Sequence, residues 1–273
     1  MLGPPLTADD AEVFEAVIVP RYLTFFAGMA VEMAIASSGA RVVHLGCRTG
    51  YPDEQLADRF HDGAVGGVDP SAAALDRARA RVSHLTTGRV SYHLGGGLPT
   101  PFPPRAFSHA FTLHPLGGPS ERAALLGELA RLLVPGGQAL FALPLRGSFP
   151  EVSDMLREFA LRQDHAELAT AVEQAWSDRA SVETIAHELE QAGFVDVDVD
   201  VQLLAVSFAS GREFLDDPIT RLLVLPDVRS GLRADPAVVD AAVKYLHEAV
   251  GRYWSEGPFE LTVNVGCASA RRS

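Results

Sequence analysis

The stretch VVHLGCRTGYP, residues 42–52, decides how the chain is read. A short apolar, β-branched run leads to Gly46, a second glycine follows at Gly50, and Pro52 opens a helix. Proline suits that first turn because its missing N–H would have no intrahelical partner there. A strand, a glycine turn and a helix start in this order are how a nucleotide-type cofactor is held at the end of a strand. Two positions depart from the pattern: His44 stands where such a loop carries an acid, and Arg48 where it carries a glycine.

Outward from this loop the chain alternates. Residues 11–36 form an N-terminal helical segment, with Val13, Val17, Tyr22, Phe25, Phe26, Met29 and Met33 at roughly helical spacing and Pro20 as a kink. RVVHL, AVGGVD, VSYHL, AFTLH and QALFALPL are short strands; PDEQLADRF, the segment capped by Asp69-Pro70-Ser71, and SERAALLGELARLL are helices. GGGLPTPFPP is a loop. Near-continuously apolar strands alternating with helices predict a doubly wound, mostly parallel α/β sheet, with right-handed crossovers and a ligand at the carboxyl ends of the strands. Residues 41–145 make up the cofactor-site half, residues 146–257 a largely helical lid or lobe that includes the strand VDVDVDVQLLAVSF, and residues 258–268 the last strand. No repeat or long linker divides 1–273, which predicts one domain.

Composition bounds the function. At 273 residues, 47% hydrophobic and 21% charged, with a net charge of −12, the chain is an acidic globular protein. It has no Lys/Arg run, which argues against nucleic acid, and its charge argues against an anionic membrane surface. Cys47 and Cys267 have no metal spacing and fit a reduced, cytoplasmic setting. The acidic start MLGPPLTADDAEVFE is unlike a signal peptide, and YLTFFAGMAV is too short to span a bilayer.

HLGCRTG, GGVDPS, LLVPGGQALFALP, the AGF turn and the closing FELTVNVGCA occur in an order that resembles the class I S-adenosylmethionine-dependent methyltransferase family over nearly the whole chain. The resemblance implies a seven-stranded sheet with the helical lobe inserted before the last strand. It also implies cofactor contacts from Gly46, Cys47 and Gly50 and from Asp69, whose carboxylate matches the family's ribose-binding acid. Measured against the family, His44 replaces the first-loop acid and Arg48 the middle glycine. Gly96 stands at the adenine-contacting acid, and Ser108 stands where the fourth strand carries an aspartate. A charge-assisted hydrogen bond contributes about 1.5–3 kcal/mol. Losing two would weaken binding on the order of 10² to 10⁴.

Other residues carry weaker signals. His44, His93 and His114 fall near the carboxyl ends of neighbouring strands, with no metal spacing and no evident acid partner. His44 and Arg48 together suggest an anion site beside the Pro52 helix start. The alternation in VDVDVDV puts Asp196, Asp198 and Asp200 on one face of an edge strand, as solvated charges. Tyr245, Tyr253 and Trp254 are aromatic anchors for a protein partner or homodimer on the helical lobe, or simply pack it.

These substitutions lead to the expectation of a non-catalytic, methyltransferase-like regulatory or scaffold protein that binds no cofactor and no metal. The alternative is an active S-adenosylmethionine-dependent methyltransferase on a small molecule, with His114-Pro115 over the methyl acceptor.

Overall fold

The computed structural model describes residues 2–86, 88–254 and 257–273. Seven strands lie in the order β3-β2-β1-β4-β5-β7-β6. They are β1 (Arg41–Leu45), β2 (Ala64–Asp69), β3 (Val90–Leu94), β4 (Phe107–Leu113), β5 (Leu133–Pro144), β6 (Phe194–Phe208) and β7 (Phe259–Arg272). The first five strands pair in parallel, while β7 runs antiparallel between β5 and β6. The fold class is the doubly wound, mostly parallel α/β sheet that the apolar runs predict.

Strand alternation feeds two apolar layers. Val42, Phe111 and Leu140 pack with Tyr22 and Phe26 on one face, whereas Val43, Leu45, Val68 and Phe141 pack with Leu126 on the other. The helices covering the parallel half include α3 (Asp53–Arg59), α4 (Ala72–Arg81) and α5 (Pro119–Leu132). Three helices, α6 (Pro150–Arg162), α7 (Ala166–Ser177) and α8 (Val182–Gln191), lie between β5 and β6 in the chain. Three more, α9 (Gly211–Asp216), α10 (Leu225–Gly231) and α11 (Pro236–Tyr253), lie between β6 and β7.

At the N-terminus α1 (Ala8–Val13) and α2 (Thr24–Met33) are joined by a π-helical stretch, Phe14–Leu23, that contains Pro20. The wider turn replaces the expected kink, because it accommodates a residue with no N–H and a bulky ring without breaking the helix. The run Ala8–Met33 is long and apolar enough to cross a membrane, and half of it is buried inside the protein.

On the β6 edge, Asp196 has φ 50° and the register shifts between Val195 and Asp198. Through this bulge Asp196, Asp198 and Asp200 stay exposed while Val197 and Val199 are half-buried against the core, the alternation that the sequence predicts. Of the aromatic anchors, Tyr245 stacks on Phe159 at 5.0 Å, Trp254 meets Phe259 at 5.4 Å, and Tyr253 stays 47% exposed.

Candidate active site

The strand order reverses at the β1–β4 pair, and the loops leaving the carboxyl ends of these strands frame a crevice. Gly46 and Gly50 turn the first loop at φ 69° and 77°. At Gly50 only glycine serves, because a Cβ would overlap the Tyr92 hydroxyl and lie 2.8 Å from the Ala78 Cβ. The loop's amides point into the protein: Gly46 and Cys47 N–H donate to Val68 O at 2.9 and 3.2 Å, and Gly50 N–H donates to Cys47 O at 2.8 Å.

Arg48 adopts φ 48°, a left-handed conformation that costs a non-glycine residue about 1–2 kcal/mol. Three contacts hold it there. Its N–H donates to Asp69 Oδ2 at 3.1 Å, its Nη1 donates to Pro4 O at 2.7 Å, and its Nε lies 3.8 Å from Asp69 Oδ2. The cation is therefore neither free nor turned outward.

Asp69 is fully buried at the end of β2, and its Oδ1 accepts the Ser71 N–H at 2.9 Å. Burial raises its pKa above the usual carboxylate range, against the opposing pull of the Arg48 guanidinium and the two N–H donors. Ser71 is the residue that caps α4, accepting the Ala74 N–H at 3.2 Å.

His44 lines a recess beside the loop and bonds Asp53 Oδ1 through Nδ1 at 2.7 Å, with both side chains buried. Asp53 is the acid partner of His44 that the sequence reading missed. It is the first residue of α3, and only the turn between strand and helix brings it back onto His44. The expected anion site is thereby corrected: His44 and Arg48 each already face a carboxylate, and α3 has only 7 residues.

The segment 2–6 lies across this loop. Leu2 is buried beside Val43, Leu45 and Val68, and its N–H donates to Gly96 O at 3.2 Å. Arg48 holds Pro4 O, and Ser71 Oγ donates to Leu6 O at 2.9 Å. A Cβ on Gly3 would run into the Arg48 guanidinium, and one on Gly46 would lie 3.5 Å from Leu2 O. The segment is thus bonded to Arg48, Ser71 and Gly96, and of the residues expected to contact a cofactor it comes against Gly46. The space left beside Gly46 and Arg48 is two recesses of about 20 Å³ each.

His114 follows β4 at φ 48°, buried, with its Nε2 3.0 Å from the Tyr22 hydroxyl; its Nδ1 has no partner. Burial lowers the His114 pKa to about 4, so the ring is neutral at pH 7. Burial also pushes the Tyr22 phenol well up, and it keeps its proton. His93 does not join them: it is exposed on β3 with its ring edge-on to Phe102 at 4.9 Å. Ser108 is also outside the crevice. It sits at the start of β4, where its Oγ bridges Arg41 N and O at 3.0 and 3.1 Å, at the opposite end of the sheet. Among the described residues no three His, Cys, Asp or Glu side chains converge as a metal site.

Beyond His114 the chain opens into a cleft of about 720 Å³ between Pro115–Gly118, the start of the helical lobe and α10, with Gly3–Pro5 on one side. Trp176 of α7 and Arg179, in the turn after it, line this space beside Asp227 and Val228 of α10, and Arg179 pairs with Asp227.

A family model described as a methyltransferase domain matches residues 42–137. A 2-phytyl-1,4-naphtoquinone methyltransferase of Thermosynechococcus vestitus is 31% identical over 178 residues, spanning 61% of this chain and 77% of that protein. The chain belongs to the class I S-adenosylmethionine-dependent methyltransferase family. A malonyl-[acyl-carrier protein] O-methyltransferase of Halorhodospira halophila is 28% identical over 185 residues, spanning 65% of this chain and 56% of that protein. The chain thus spans little more than half the length of that relative. Among solved structures, a phosphoethanolamine N-methyltransferase 2 of Haemonchus contortus, in complex with phosphomonomethylethanolamine and S-adenosylhomocysteine, aligns with a TM-score of 0.58 at 18% identity. It covers 97% of this chain and 57% of that one. In this family member segment 2–6 lies over the loop that leaves β1.

Proposed function

We propose that the protein is an S-adenosylmethionine-dependent methyltransferase acting on a small molecule in the cytoplasm. This reading favours the active alternative over a non-catalytic scaffold. The observation that carries it is a row of adjoining spaces: two recesses lined by Gly46, Arg48 and His114, and the wide cleft, which shares Pro115, Leu116, Glu121 and Arg122 with one of them. Relatives named as small-molecule methyltransferases support it.

The residues present fit the cofactor as a frame. Gly46 and Gly50 keep their open backbone conformations, and Asp69 keeps its carboxylate at the end of β2. Bound S-adenosylmethionine would supply an electrophilic methyl group. Gly46, Gly50 and Asp69 would hold it once segment 2–6 has left the loop. His114 is neutral, and in the tautomer whose Nε2–H donates to the Tyr22 oxygen its unpartnered Nδ1 can accept a hydrogen bond from the acceptor's hydroxyl. A base this weak suffices, because an alkylated hydroxyl oxygen is a far stronger acid than the imidazolium. Tyr22 fixes the ring from the opposite nitrogen.

A second reading has its own observation. Arg48 and segment 2–6 close the loop, as in a protein kept for its surfaces, with the helical lobe facing a protein partner or a second copy. Calorimetric titration with S-adenosylmethionine and S-adenosylhomocysteine separates the two. Saturable binding followed by methyl transfer to an added acceptor supports the enzyme. No binding by the unaltered chain, or by a variant freed of the segment's contacts, would leave the second reading standing.

A further inference from the structure

The cleft beyond His114 combines an apolar lining with charges that are already matched. Trp176, Pro115, Leu143, Pro144 and Val228 give it broad apolar surfaces. Its lining contains three arginines and three carboxylates, and each arginine is engaged. Arg122 is gripped in a fork by Glu188 through Nε and Nη2 at 2.9 and 2.8 Å, and its Nη1 donates to Asp178 O at 3.1 Å. Arg179 is paired with Asp227, and Arg233 lies 3.6 Å from Asp178. Arg179 is further held between ring faces, 5.0 Å from Phe149 and 5.4 Å from Trp176. The carboxylates are no freer. Glu121 closes the capping box of α5 by accepting the Gly118 N–H at 3.0 Å, while Asp178 and Asp227 face their arginines.

Inside this space a carboxylate or phosphate would meet Arg122 and Arg179, both already held by carboxylates, with only the exposed Arg233 loosely paired at the rim; an ammonium group would meet Asp178 and Asp227 beside their arginines. Either would have to break an existing pair or shed its hydration without compensation, which is costly in a partly closed cleft. An uncharged ring system meets neither penalty and gains contact with the indole and the prolines. At about 720 Å³ the cleft lies within the range for a small organic ligand.

We infer that the cleft binds an uncharged, mostly apolar, ring-containing acceptor, its hydroxyl turned toward the adjoining recess that His114 lines, and that it discriminates against anionic acceptors. The inference rests on the methyltransferase reading in calling the ligand an acceptor; the binding selectivity stands apart from it.

The test uses matched probes, 2-naphthol and 2-naphthoate, titrated by calorimetry at pH 7 into the full chain without cofactor. The neutral probe binds at least about tenfold tighter. Asp178→Asn, which releases the exposed Arg233, and Asp227→Asn, which releases the inner Arg179, each shift the preference toward the carboxylate by about tenfold or more. The first change is at the rim and leaves the core packing intact, so the shift can be read even if the second variant folds poorly. Trp176→Leu weakens both probes together, locating them in the cleft. Equal or tighter binding of the carboxylate by the unaltered chain overturns the inference. So does an unchanged ratio in Asp178→Asn, insensitivity to Trp176→Leu, or no binding of either probe up to about 1 mM. If the neutral probe binds as stated while S-adenosylmethionine does not bind at all, the proposed enzyme falls and the selectivity of the cleft remains.

Discussion

Replacing Leu2 with aspartate should open the cofactor end. In the closed arrangement Leu2 is 8% exposed among Val43, Leu45 and Val68. Burying such a side chain contributes about 1.5–3 kcal/mol. Three hydrogen bonds add about 0.5–1.5 kcal/mol each: Leu2 N–H to Gly96 O, Arg48 to Pro4 O, and Ser71 to Leu6 O. Ordering the five-residue segment opposes them at about 1–2 kcal/mol per residue, less at Pro4 and Pro5, whose φ is already fixed. The two sides are of the same size, so the net closure is small; a value of about 1.3–2.7 kcal/mol within that range leaves roughly 1–10% of molecules open. Apparent affinity for S-adenosylhomocysteine is reduced by that fraction. Leu2→Asp removes the largest single contribution, and the titration should show affinity rising about tenfold or more, with the melting temperature little changed. Arg48→Ala should act in the same direction by freeing Pro4 O. Equal affinities in the unaltered chain and both variants would refute the reasoning. Hydrogen exchange gives an independent check, since amides in residues 2–6 should lose protection on ligand binding.

The remaining expectations concern single side chains. His114→Ala should lower methyl transfer by about 10²–10⁴ while cofactor affinity is retained, as measured by single-turnover kinetics. Its titration also predicts a pH dependence of folding. The native pKa of about 4 lies below the ordinary 6.5, so the unfolded chain binds the proton more tightly. Stability from this residue is complete above pH 6.5 and falls as pH drops toward 4, by about 3 kcal/mol; urea unfolding of His114→Gln should lack that slope. For Asp69 the sign is reversed, because burial raises its native pKa. The stability of the unaltered chain relative to Asp69→Asn should improve as pH falls toward 3.8. His44→Ala should destabilise by about 3–5 kcal/mol by stranding the buried Asp53, and the double variant with Asp53→Ala should lose less than the sum in denaturant melts.

The sheet was legible because burial on both faces leaves unbroken apolar runs such as RVVHL and AFTLH, and few topologies accept them in alternation with helices. Asp69 was legible for the same reason: it ends a recognisable strand. What escaped was contact between segments far apart in sequence. MLGPPL has no periodicity and no charge pattern, so nothing in it announces a segment folded over the loop. Tyr22 sits among the apolar residues of an N-terminal helix, and only the packed sheet brings its hydroxyl to His114. Asp53 looked like an ordinary acid in a first helical turn. Ser108 could have been excluded in advance, since the start of a parallel strand lies at the end away from the ligand crevice.

One stretch of chain borders two places at once. Gly3, Pro4 and Pro5 line the wide cleft while Pro4 O is tied to Arg48 over the first loop. A ligand that expels the segment from the loop also takes away one wall of the neighbouring cleft, and a ligand that leans on that wall resists the expulsion. The two binding events therefore share a coupling free energy, and thermodynamic reciprocity requires each to alter the other's affinity by the same factor.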